Sequence, residues 1–180
     1  ISTLLSALFE GNEQKIIGLA VEFKVDANIL VFLAQMLVQP WLEQAASMID
    51  PSLLHRRVYS TCPICGVKPI VETSKEGKRF LLCVLCGLIF PAAPFSCIFC
   101  GNRDPYTLKS LFPENRLAFR IDYCEKCRCY TKVIIDQKLK ERIPSGLEDL
   151  LTSDLDIIAR SAGLLRIGVA YLNPTAVRHG

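Results

Sequence analysis

At 180 residues, with 51% hydrophobic and 22% charged side chains, the chain is long enough to bury a core and too apolar to be disordered. It contains no uncharged apolar run of roughly 18 residues, and its opening at Ile1 lacks a basic segment, so neither a membrane span nor a signal peptide is expected. The formal charge of +3 is deceptive: two four-thiolate sites around divalent ions, each carrying a net −2, bring the chain to −1 and leave almost no electrostatic support for a nucleic-acid partner.

Cysteine is absent from 1–61, occurs nine times in 62–129, and is absent again to the end, which divides the chain into three regions. In the first, Ile16, Ile17, Leu19, Ala20 and Phe23 predict one helix. Asp26 caps a second, with apolar positions Ile29, Leu30, Phe32, Leu33, Met36 and Leu37. Pro40 either starts a third helix at Trp41, Leu42, Ala45 and Met48 or kinks a continuing one, and Asp50-Pro51 stops it. These stripes read as core, because helices of this length need tertiary packing.

The middle region reads as two copies of one unit. The first opens with Cys62-Pro63-Ile64-Cys65-Gly66 and closes with Cys83-Val84-Leu85-Cys86-Gly87. Strands are predicted over 69–73 and 78–82, joined by a turn at 74–77. The second opens with Cys97-Ile98-Phe99-Cys100-Gly101 and closes with Cys124-Glu125-Lys126-Cys127, with strands over 106–111 and 117–121. The short proline-bearing joint Phe90-Pro91-Ala92-Ala93-Pro94 predicts packed modules rather than flexible beads. In the last region, Glu148, Asp149, Leu150, Leu151, Asp154, Leu155, Ile158 and Ala159 predict one helix ending near Gly163. Residues 169–172 are expected to form a short strand or extended arm before Asn173-Pro174.

Each Cys-x-x-Cys pair supplies two thiolates from a tight turn, and two pairs complete a tetrahedral site. One such pair would equally suit a redox dithiol; four at hairpin spacing point to two four-thiolate sites. Cys62, Cys65, Cys83 and Cys86 form one, and Cys97, Cys100, Cys124 and Cys127 the other. Zinc and iron both accept this ligation. The glycines after Cys65, Cys86 and Cys100 let the turn fold under the ion and aim amide N–H groups at sulfur. With every position filled by sulfur, neither site resembles a catalytic zinc centre, and no phosphate loop or nucleophile elbow occurs, so no enzyme activity is expected. Cys129 is expected to be buried, His55 and His179 to be surface or packing residues, and Lys68, Lys75, Lys78 and Arg79 to form a solvated hairpin face.

Residues 30–174 resemble the formate dehydrogenase accessory, or FdhE, family. The resemblance rests on the Cys-Pro-x-Cys-Gly opening at Cys62 with Pro69, and on the pairs Cys83, Cys86, Cys97 and Cys100. It continues through Arg120, the final pair Cys124 and Cys127 with Tyr130 and Lys132, Glu148-Asp149-Leu150, Leu155-Asp156 and Asn173-Pro174. The chain departs from the family pattern at Phe90 and Pro94, where tryptophan and arginine are usual, and at Cys129, which is extra.

The resemblance implies a cytoplasmic factor that binds the catalytic subunit of formate dehydrogenase during its maturation, with rubredoxin-like metal sites. The expected fold is α+β. A helical domain (1–60) precedes two adjacent rubredoxin-like or zinc-ribbon modules (61–95 and 96–135), and a C-terminal helix and tail (136–180) complete it. Arg120, Tyr130, Glu148 and Asp149 are the expected client-binding residues. Two other readings stand beside this one, a nucleic-acid-binding double zinc ribbon and a rubredoxin-like electron carrier.

Overall fold

A computed structural model of the chain describes residues 2–9, 12–54, 59–144 and 146–167. His55, His179, the arm expected at 169–172 and Asn173-Pro174 lie outside them. The chain divides into two compact units between Trp41 and Leu42.

The first unit holds α1 (Ser2–Phe9), α2 (Glu13–Phe23) and the start of α3 (Ala27–Ser47). Asn12 caps α2 by accepting from the Lys15 N–H at 3.0 Å, and Lys24 closes it in the left-handed region. Asp26 caps α3 as expected, accepting from the amides of Asn28 and Ile29 at 2.8 and 3.3 Å. Pro40 does not start a new helix but sits inside α3. The expected apolar stripe is not buried among the described residues. Ala7, Ile16 and Val31 form the small core, while Phe32, Leu33, Met36 and Leu37 are more than half or about half exposed. Val31 of α3 packs there against Ala7 of α1 and Ile16 of α2, and Ala34 one turn on is also buried. By length and composition α3 can cross a bilayer, with a window of mean hydropathy 1.2. Its polar residues, among them Asn28, Gln35, Gln39, Glu43 and Gln44, argue against a span.

The second unit contains the end of α3, α4 (Pro51–Leu54), six strands, and the C-terminal helices α5 (Glu148–Leu151) and α6 (Ser153–Ser161). The strands are β1 (Val71–Lys75), β2 (Lys78–Leu82), β3 (Ile89–Pro91), β4 (Leu108–Leu111), β5 (Phe119–Cys124) and β6 (Tyr130–Ile135). They form one sheet in the order β3-β2-β1-β6-β5-β4. Every pairing is antiparallel except β1 with β6, which sets Val71–Ser74 beside Lys132–Ile135. The two sequence repeats are therefore two three-stranded meanders fused edge to edge. The β1–β2 turn has Glu76 and Gly77 both at positive φ, the geometry that matches strand twist in a two-residue hairpin.

Leu81, Phe90 and Leu88 pack around the first cysteine cluster with Ala46 and Leu54. Ile121 and Tyr130 bury one sheet face against Leu155 and Ala159 of α6. Ile70, Val71, Leu82 and Ile134 seal the seam between the meanders. The expected single C-terminal helix breaks at Thr152, whose hydroxyl donates back to the Glu148 carbonyl at 2.6 Å.

Candidate metal centres

The four cysteine turns share one backbone design. The amide of the first cysteine donates to the carbonyl five residues on, Cys62 to Val67, Cys83 to Leu88, Cys97 to Asn102 and Cys124 to Cys129, at 2.8–3.0 Å. The residue after the second cysteine donates back to the first cysteine's carbonyl, again at 2.8–3.0 Å. That residue lies in the left-handed region in all four turns: Gly66, Gly87 and Gly101, and in the fourth turn Arg128 at φ 60°. Glycine adopts this conformation without strain, and arginine does not. The Arg128 guanidinium also donates to the carbonyls of Ala162 and Gly163 at 2.8 and 3.3 Å, tying the end of α6 to the turn.

These turns converge as two groups, Cys62, Cys65, Cys83 and Cys86, and Cys97, Cys100, Cys124 and Cys127, with all sulfurs of a group within 4.8 Å of one another. Cross-turn pairs approach to 3.4 Å in the first group, and to 3.6 and 3.8 Å in the second. A tetrahedron with metal–sulfur arms of about 2.3 Å has edges of about 3.8 Å, so both groups fit a zinc or iron ion ligated by four thiolates.

The protonation pattern agrees. In the first group, hydrogen bonds among the four sulfurs hold Cys62 well below the usual thiol range and push Cys65 and Cys83 above it. Four thiolates confined together without a cation cannot all ionise, and an ion relieves this. In the second group, burial pushes Cys97 and Cys127 up to about 12. Burial also opposes ionisation of Cys124, but the Cys127 amide and the Asn102 side chain bring it down to about 7. The Asn102 amide donates to the Cys124 sulfur at 3.4 Å and to the Thr107 hydroxyl at 2.7 Å, a sulfur contact that cysteine spacing does not reveal. Cys129 is buried and its thiol donates to the Cys127 carbonyl at 3.3 Å.

Arg79 departs from the expected solvated face. Its guanidinium pairs with buried Glu72 at 2.6 and 2.8 Å and donates to the Ala93 and Ser96 carbonyls. The segment leading into the second metal group is thereby fastened to the first hairpin.

The family-pattern residues fall on opposite faces of the sheet. Strand pairing sets Arg120 across from Val133, and Tyr130 across from Tyr123. Arg120 pairs with Asp122 at 2.8 and 3.0 Å and lines a cavity of about 250 Å³. On the other face, Tyr130 is buried and donates to Asp156 at 2.6 Å. Lys132, with no exposed side-chain surface, donates to Asp156 at 2.9 Å and to the Asp149 carboxylate. Arg166 bridges the same two carboxylates at 2.6 and 2.7 Å. Two cations, two anions and a phenol thus clamp α5 and α6 to β6. The Glu148 carboxylate accepts from the Gly146 amide at 2.7 Å.

No family model matches the chain. The FdhE homolog of Aquifex aeolicus is 29% identical over 153 residues, covering 82% of this chain and 53% of that protein. That of Shewanella sp. strain MR-4 is 31% identical over 140 residues, covering 74% and 45%. The crystal structure of the FdhE protein from Pseudomonas aeruginosa superposes with a TM-score of 0.67 at 22% identity, over 86% of this chain and 56% of that one, which establishes a shared fold. The chain spans about half the length of the curated relatives it matches.

Proposed function

This chain belongs to the FdhE family, and on that premise we propose that it is a cytoplasmic accessory factor that binds the catalytic subunit of formate dehydrogenase during maturation. The observation that carries the reading is the pair of closed four-thiolate groups mounted on one sheet. Sites of this kind leave no open coordination position for substrate, so they hold a surface in shape instead of performing chemistry on it. The factor is not itself the formate-oxidising enzyme.

Each meander with its two cysteine turns is a rubredoxin-like or zinc-ribbon module, with boundaries near 61–95 and 96–135, between the helical domain (1–60) and the C-terminal segment (136–180). Arg120 and Glu148 are the client contacts of this reading. Tyr130 and Asp149 serve the client surface from within, since the clamp they belong to fixes α5 on the sheet.

The test is anaerobic purification of the tagged chain from its native host, with metal analysis and identification of co-purifying proteins on the same sample. Enrichment of the formate dehydrogenase catalytic subunit is expected, with Arg120→Ala lowering its yield at unchanged metal content. A metal-loaded chain that never captures that subunit, immature or mature, overturns the reading.

A further inference from the structure

Both modules run cysteine turn, strand, strand, cysteine turn, strand, so β1 and β4 hold the same place in the repeat. In the first module the outer edge of β1 takes an extended strand, β6, in parallel. The matching edge of β4 takes none among the described residues. A free edge is a template for another chain, and proteins usually blunt it with charges, proline or brevity. The opposite edge of this sheet is blunted so: β3 is three residues long, ends in Pro91 and lies against α4. β4 is nearly as short, at four residues, but has no proline. Its one charge is Lys109, exposed and without an ion pair among the described residues, which selects for an acidic neighbour, and exposed Tyr106 and Phe112 flank the strand.

Side chains alternate across a strand. Leu108 and Ser110 pair with Cys124 and Asp122, on the face opposite Lys109. On their face lies the 250 Å³ cavity, with Phe95, Ile98 and Leu108 as its apolar wall. We propose that the β4 edge takes an extended segment of a client polypeptide as a seventh strand, with an acidic residue set against Lys109 and the apolar residues beside it turned into this cavity. The identity of the client rests on the accessory-factor reading; the edge and its chemistry do not.

The full metal-loaded chain is titrated into a fluorescent peptide alternating valine and glutamate, and binding is read by anisotropy. Saturable binding is expected, with amide exchange at 108–111 slowed. N-methylating alternate peptide amides keeps the side chains and removes strand pairing; it should weaken binding at least about fivefold, as should Lys109→Glu. A valine–lysine peptide should restore binding to the Lys109→Glu variant. No saturable binding, equal binding of the methylated peptide, or indifference of Lys109→Glu to peptide charge overturns the proposal. Capture of the catalytic subunit by wild type and Lys109→Glu alike, with no peptide binding, discards the edge and keeps the accessory reading. Peptide binding as described, with no capture, does the reverse.

Discussion

Replacing Lys132 by methionine tests the clamp that holds the C-terminal helices to the sheet. The ammonium is fully buried between Asp149 and Asp156, and the substitution keeps the length of the side chain while removing its charge. Removing one partner of a buried ion pair costs about 3–5 kcal/mol, chiefly because the other charge is left uncompensated. Here Arg166 still reaches both carboxylates, at 2.7 and 2.6 Å, which places the expected loss at the low end, about 3 kcal/mol. With a urea m value of about 2 kcal/mol/M, the unfolding midpoint falls by about 1.5 M. Lys138→Met, at an exposed position, serves as the control and shifts it by less than about 0.3 M. Metal content is unchanged in both variants, since neither residue is a ligand. A Lys132→Met midpoint within about 0.5 M of wild type would refute the clamp as a source of stability.

Asn102→Ala removes a donor to the Cys124 sulfur, so the second site should release its ion at lower chelator concentration while the first is unchanged; equal release from both would contradict the assignment. Gly101 stands at φ +72° with nothing within 4 Å of an added Cβ, so Gly101→Ala costs about 1 kcal/mol through backbone strain alone, and a cost above about 3 kcal/mol in chemical unfolding would point to a clash instead. Burial, reinforced by Asp156, raises the Tyr130 phenol above its ordinary value. The stabilisation this gives is complete below the unfolded value of about 10 and is lost as pH rises past it, so the stability difference between wild type and Tyr130→Phe should shrink above about pH 10. A difference that stays constant or grows there would contradict the assignment.

The ligand sets were legible because each pair is local: two residues between cysteines, with a glycine after three of the four pairs, already encode a turn that can bind a metal. The first hairpin was legible for the same reason, and β2 lies where its residues predict it, at Lys78–Leu82. The contacts that join the modules were not. Nothing near Tyr130 announces that β6 will run parallel to β1, some sixty residues earlier in the chain, because that register is set by burial at the seam. Arg79 reads as one more lysine-rich-turn cation until Glu72 appears opposite it, and Lys132, Asp149, Asp156 and Arg166 acquire meaning only when α5 and α6 lie on the sheet. Arg128 was hidden differently, since the fourth turn uses the left-handed conformation without the glycine that advertises it.

The two metal centres underlie both the fold of the sheet and the proposed function. Metal quantification combined with X-ray absorption on the purified chain should give two ions per chain, each with four sulfur neighbours at about 2.3 Å. One ion per chain, or nitrogen or oxygen in the coordination shell, would contradict it.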